Sequence, residues 1–584
     1  MNKRYLNLTL LAGLLSVMML LSACFGTSSV IHSSVSWPAE TVSLQEPAAP
    51  DTDHQSVTLS DMSYQRPDID AMRAVMDDLK SGIAKGKPAE DMIAAYESLQ
   101  KQYDHADSML SLVYLFYALD VTDTYYRDEY ADLQSALSEL DGDMQSVSAS
   151  LFESSNEAEQ LAVESFGEGY VDAIIGNEGY DSSVQSLLDR EEQLTLEYDN
   201  LAATFSILDN GTRWTYADIL NDLSLSYDEY YRLYDAYCAE LNRQAGNIFL
   251  EQLPIRAEIA SRLGYENYSD YCYDNYGRDY TPADAKTLHA AVKRYIVPLF
   301  SKAADTYDTS DLDSADFSQD TFFSALTSAA NAFSPLLSAP VSYMMQNKLY
   351  DFTDSAVKMD SSFTTYISDY RAPFIFTKWI GSAENIATVL HELGHFASYY
   401  HNASVGYSAN DSLDLAEVDA QALALLFFDD YDSFYGKYAD DARTSVLFDA
   451  MYSLLSGCME DEFQQEIYNH PDMNLDEINE LYLKLAQEYG LEQVYGYRGT
   501  EWVLISHTFQ TPFYYVSYAA SMVPALELFD IARSDPVAAK TIYFNILMRE
   551  QYANLGDVLS KSGLDPVFSD QTIAHIAQIL KQYI

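Results

Sequence analysis

The chain has 584 residues, with 33 basic and 89 acidic side chains and a formal net charge of −56. Such a surface repels polyanions, so no nucleic acid is expected as a partner. Apolar residues make up 48% of the chain, ample for a large core, and the sparse Pro and Gly (16 and 23) fit long helices.

Lys3 and Arg4 precede a mostly apolar run, Leu6 to Leu21, that is short for a membrane span. Residues 1–23 read as a signal peptide. Leu21-Ser-Ala-Cys24 resembles a bacterial lipobox, implying cleavage before Cys24 and a lipid on its thiol. The protein is therefore expected outside the cytoplasm, tied to the cell membrane by an N-terminal lipid anchor. Residues 24–58, rich in Ser, Pro, Ala and Thr, read as a flexible tether. Residues 59–200 read as a helical lobe, with helical periodicity at Asp68 to Ser81, Pro88 to Tyr103 and Ala106 to Leu119. A boundary near 195–210, with a turn at Asn210-Gly211, separates it from a second unit, 201–584. Cys238, Cys272 and Cys458 form no CxxC pair and no disulfide framework, so stability rests on the core. Pro373 to Trp379 is the clearest candidate strand; Leu475 to Tyr489 is helical again.

Residues 391–395 read His-Glu-Leu-Gly-His. They lie in a helical pattern from Ser382 to Tyr400, apolar at Ile386, Val389, Leu390, Leu393, Phe396 and Ala397, with Ser382 as N-cap. His391 and His395 are then one turn apart and point the same way. Two neutral imidazoles so placed suit one zinc ion, which lowers the pKa of bound water, and Glu392 stands beside it as general base. Two residues compete for the third ligand position. Glu417 lies on a second helical pattern, from Leu413 to Leu423; His401 has the spacing of a three-His site. The three-His site turns at a Gly where this chain has Ser398, and on a continuous helix His401 lies about 15 Å along the axis from His391. Both points favour Glu417.

Several stretches together resemble the oligoendopeptidase F-like branch of the M3 zinc metallopeptidases, relatives of thimet oligopeptidase. They are Ser261 to Tyr271, Tyr276 to Pro282, Pro373 to Phe376, the pentad, Leu415 to Val418, and His507 to Ala519. The resemblance implies a mainly α, two-lobed zincin-type (gluzincin) fold, with a deep channel admitting short peptides and a small β edge element. It makes 201–584 the catalytic domain. It implies one zinc per chain on His391, His395 and Glu417, water activation by Glu392, and an oxyanion held by His507 and a tyrosine, Tyr514 or Tyr518. The family's third tyrosine falls at Val516, where Tyr515 is the available substitute. A small hydroxyl residue expected three after Glu417 is Ala420, with Asp414 and Asp419 as alternative support. Phe374 and Phe376 are expected on an edge strand along which substrate lies. The reading is a zinc-dependent endopeptidase of short peptides. The alternative is a membrane-tethered peptide-binding lipoprotein on a degenerate peptidase fold, for which Ala420 and Val516 speak.

Overall fold

A computed structural model describes residues 47–48, 54–175, 184–222, 224–359, 361–402, 412–550 and 553–584. The expected signal peptide, Cys24 and most of the tether lie outside the described residues. Among the described residues no helix is long and apolar enough to cross a membrane.

The chain is mainly helical, as the periodicity predicts. Helix α1, Ile69–Ala84, starts at Asp68, whose carboxylate accepts the Ala71 N–H at 3.0 Å. The next two helical patterns form a single 31-residue helix, α2, Ala89–Leu119. Nothing between Tyr103 and Ala106 breaks it: Asp104 and His105 cost little helix propensity and neither is Gly or Pro. Helix α3, Thr124–Phe152, completes this first bundle, and Met72, Leu79, Leu112, Leu137 and Leu140 are buried within it.

Three carboxylates crowd the α2–α3 contact. Burial, then the charges of Asp104 and Asp141, push Asp107 up to about 7. An unfolded Asp ionises near 3.8. The stabilising contribution of Asp107 is therefore complete below that pH and is lost as pH rises through about 7. Asp107→Asn is expected to melt above wild type at pH 8, with the two melting curves converging below pH 4 in scanning calorimetry.

The expected turn at Asn210-Gly211 is a two-residue hairpin loop between β1, Ile207–Asp209, and β2, Thr212–Trp214. Both loop residues have positive φ, 49° and 85°, which is why Asn-Gly occurs there. The long helix α4, Tyr227–Arg262, follows. After further helices comes a three-stranded sheet: β3, Tyr350–Asp351; β4, Phe363–Ile367; and β5, Ala372–Phe376.

The strand order is β3-β5-β4. This corrects the edge-strand expectation for Phe374 and Phe376. Strand β5 is paired on both sides and wholly buried, so neither phenylalanine can lie along a substrate backbone. The outer strands are β3 and β4.

Four helices frame the centre: α5, Ala383–Asn402; α6, Leu413–Leu426; α7, Ala439–Asn469; and α8, Val516–Ser534. Helix α5 lies on β4 and β5, α6 is sandwiched between α5 and α8, and α7 backs α8. Two glycines allow these approaches. A Cβ on Gly394 would lie 2.4 Å from the Asp419 carbonyl oxygen and 2.5 Å from Ala420 Cα; one on Gly457 would lie 2.7 Å from the Tyr515 carbonyl oxygen. Cys238, Cys272 and Cys458 are buried free thiols.

Candidate active site

Helix α5 begins as predicted, with Ser382 Oγ accepting the Asn385 N–H at 3.3 Å. It runs unbroken past Ser398 to Asn402. His401 is thereby carried away from the pentad and buried, its Nε2 2.6 Å from the Leu336 carbonyl oxygen. Glu417 comes to the pentad instead. The ligating atoms of His391, His395 and Glu417 all lie within 4.8 Å of one another. His391 Nε2 is 3.7 Å from Glu417 Oε2, and the two imidazole centroids are 5.0 Å apart.

The donor set fits a metal ion. His391 Nε2, His395 Nε2 and Glu417 Oε2 are all buried without a hydrogen-bond partner. Three converging buried polar atoms left unpaired would be costly unless a cation completes them. Burial holds His391 down to about 4, and burial followed by the charge of His391 holds His395 well below its ordinary value. Both imidazoles are thus neutral, with lone pairs free to ligate. Burial, then the charge of Glu392, pushes Glu417 up to about 8, and a cation at the cluster would return it to the charged form. Glu417→Ala is expected to cost the protein its bound metal, while His401→Ala keeps it, as read by elemental analysis after dialysis. The reverse pattern would restore the three-His assignment.

Glu392 is fully buried; burial pushes its carboxyl up to about 8, and a cation beside it would return it to the charged form that can take a proton. Thr364, on the outer strand β4, donates its hydroxyl to Glu392 Oε2 at 2.6 Å. Oε1 has no partner. One oxygen is anchored and the other is free, the arrangement a positioned base needs. Sequence reasoning missed Thr364, because a single threonine in a five-residue strand carries no motif.

His507 and the tyrosines converge on the same place. The His507 ring lies 5.2 Å from Tyr514, 5.1 Å from Tyr515 and 6.4 Å from Tyr518. Burial holds His507 down to about 4, so it is neutral. Tyr514 donates to Glu417 Oε1 at 3.3 Å, whereas the buried Tyr518 hydroxyl has no partner. Burial, then the nearby glutamates, keeps Tyr518 protonated. Tyr518 is thus the freer donor of the two. Tyr514 and Tyr518 do not share a helix. Tyr514 precedes α8, in a turn set by Phe513 at φ 65°, a left-handed conformation unusual for a bulky residue. Gln464 Oε1 accepts the Phe513 N–H at 2.7 Å, and Arg278 donates to the Phe513 carbonyl oxygen at 2.9 Å. The tyrosine rings nonetheless end 5.5 Å apart.

The His507 segment is held from behind. Arg256 donates to the Thr508 carbonyl oxygen at 3.0 Å and to that of Phe509, and pairs with Glu191 at 2.6 Å. A cation on the carbonyls at the C-terminal end of the short helix His507–Gln510 suits its dipole.

Asp414 and Asp419, the expected support for Glu417, are buried rather than at the surface. Asp419 takes the Arg549 guanidinium at 2.8 Å, and Asp414 accepts from Tyr280 at 3.2 Å. Ala420 is fully buried where α6 crosses Gly394 of α5.

Residues 59–173 match the Peptidase M3 N-terminal domain. No protein of curated function matches the chain. Among solved structures, PZ peptidase A with inhibitor 2 superposes with a TM-score of 0.76 at 20% identity, over 90% of this chain and 99% of that one. Two chains carrying the name oligoendopeptidase F are equally similar. One has a TM-score of 0.77 at 21% identity, over 90% of this chain and 98% of its own. The other, from Bacillus anthracis str. Ames, has 0.74 at 20%, over 91% and 98%. The fold is that of the oligoendopeptidase F structures. On this oligoendopeptidase fold the His-His-Glu cluster, Glu392 and the His507–Tyr518 segment face one another, brought together from α5, α6, the short helix at 507 and α8.

Proposed function

We propose that the protein is a zinc-dependent endopeptidase of short peptides. The observation that carries this reading is the meeting of three unpaired buried ligand atoms with a buried carboxylate one residue along the same helix. Zinc held by His391, His395 and Glu417 would supply Lewis-acid polarisation of the scissile carbonyl and a water acidic enough to attack near neutral pH. Glu392 Oε1 is free to take that water's proton and pass it to the leaving amine, while Thr364 fixes the other oxygen. Tyr518 offers a neutral donor toward the oxyanion, with His507 beside it. Tyr518→Phe is expected to lower kcat by about 10²-fold with little change in KM, in steady-state cleavage of one peptide. The complete set of His391, Glu392, His395 and Glu417, brought together in one buried place, supports a working site over the peptide-binding alternative.

The test is cleavage of a mixed short-peptide library, with fragments read by mass spectrometry before and after chelation. Internal cuts lost to the chelator and restored by zinc support the reading. Cuts that persist without metal, or none at all with zinc supplied, contradict it. We also propose that the enzyme works outside the cytoplasm on a lipid at Cys24. The support is the sequence alone, and fatty-acid labelling of the protein that survives Cys24→Ala would refute it.

A further inference from the structure

Tyr515 belongs to two surroundings. Its ring lies 5.1 Å from His507 and 5.3 Å from Tyr518. It also lines a small cleft walled by Tyr234 of α4, by Tyr452 and Glu460 of α7, and by Tyr497. The volume of the cleft, about 20 Å³, is room for one water-sized group.

The wall chemistry is one-sided. Glu460 is 1% exposed; its Oε1 accepts the Tyr482 hydroxyl at 2.8 Å and its Oε2 has no partner. Glu501 also lines the cleft, but its two oxygens are taken by the N–H groups of Arg498 and Gly499, each at 2.8 Å. Among the described residues no Lys, Arg or His lines the cleft. Burial pushes the Glu460 carboxyl up to about 8, the mark of a carboxylate short of a counter-charge. Tyrosine faces around such a group add attraction for a cation.

We infer that this cleft is a subsite for the ammonium head of a substrate lysine, with Glu460 as its counter-charge. The inference rests on the peptidase reading, since Tyr515 joins the cleft to the candidate site. Size selects lysine over arginine: an ammonium is about as large as a water, whereas a guanidinium is a wider plane. The net charge of −56 draws cationic peptides toward the protein in the first place.

The test uses the zinc-loaded protein and matched peptides with lysine, norleucine, arginine or glutamate at each position flanking the cut. At one position lysine is expected to exceed norleucine in kcat/KM by about tenfold or more, with arginine between them. In Glu460→Gln, which keeps an acceptor for Tyr482, that ratio is expected to fall toward one. A ratio near one at every position in wild type, or one that survives Glu460→Gln, overturns the inference. Because the readout is a ratio within each variant, damage to the fold lowers both rates rather than their quotient. A second arm measures peptide Kd on Glu392→Gln by fluorescence anisotropy. A lysine preference there without cleavage by wild type would refute the peptidase reading and leave the subsite standing. Equal or absent binding would refute the subsite.

Discussion

Glu392→Gln is expected to lower peptide cleavage by about 10²- to 10⁴-fold while leaving the fold and the metal in place. The substitution keeps the shape and a hydrogen-bond acceptor for Thr364, so the 2.6 Å contact to β4 survives. It removes only the ability of the carboxylate to take a proton. Glu392 is not among the three converging ligand atoms, so metal content should match wild type. Stability should not fall, because Glu392 is fully buried and its ionised form is disfavoured there. Parallel assays of kcat/KM, metal content and melting temperature check all three. A variant that keeps wild-type activity would remove Glu392 from the chemistry. One that loses metal would make it a ligand or a structural prop.

Gly394→Val is expected to be the most damaging single change in the centre of the protein. At this crossing even one Cβ would sit 2.4 Å from the Asp419 carbonyl oxygen and 2.5 Å from Ala420 Cα. Both neighbours are backbone, so no rotamer change relieves the clash. Relief requires moving α6 off α5, which would draw Glu417 away from His391 and His395 and strain the buried Asp419–Arg549 pair. Overpacking of this kind costs about 1–3 kcal/mol in ordinary cores, and more where backbone must yield. The variant should therefore melt lower and bind zinc far more weakly than wild type. Gly394→Ala should show the same effects in smaller measure. Thermal melts and zinc titration of the two variants check the order. Wild-type zinc affinity in Gly394→Val would mean that the helix crossing does not set the ligand geometry.

The two helices that carry His391, His395 and Glu417 were legible because their signals are local. Helical periodicity, the Ser382 cap and the His391–His395 spacing are all written within twenty residues, and the departure of His401 from the pentad followed from the lack of a breaker at Ser398. What failed was non-local. Strand β5 reads as an apolar run, which suits an edge or a centre; its pairing depends on β3, a two-residue strand with no periodic signal. The burial of Asp414 and Asp419 depends on Tyr280 and Arg549, 134 and 130 residues away in sequence. The joining of two helical patterns into α2 was within reach of the sequence, since no Gly or Pro separates them. That Tyr514 precedes α8 was not legible, because nothing in the sequence announces the left-handed turn at Phe513, which Gln464 and Arg278 impose from elsewhere in the chain.

The central claim is that His391, His395 and Glu417 hold one catalytic zinc. It is tested most directly by titrating zinc into chelator-stripped protein while following peptide cleavage and bound metal together. Activity should rise in proportion to bound zinc and level off at one ion per chain, and His391→Ala and Glu417→Ala should show neither binding nor activity over the same range. Activity indifferent to zinc, or tight zinc binding that persists in both variants, would contradict the account.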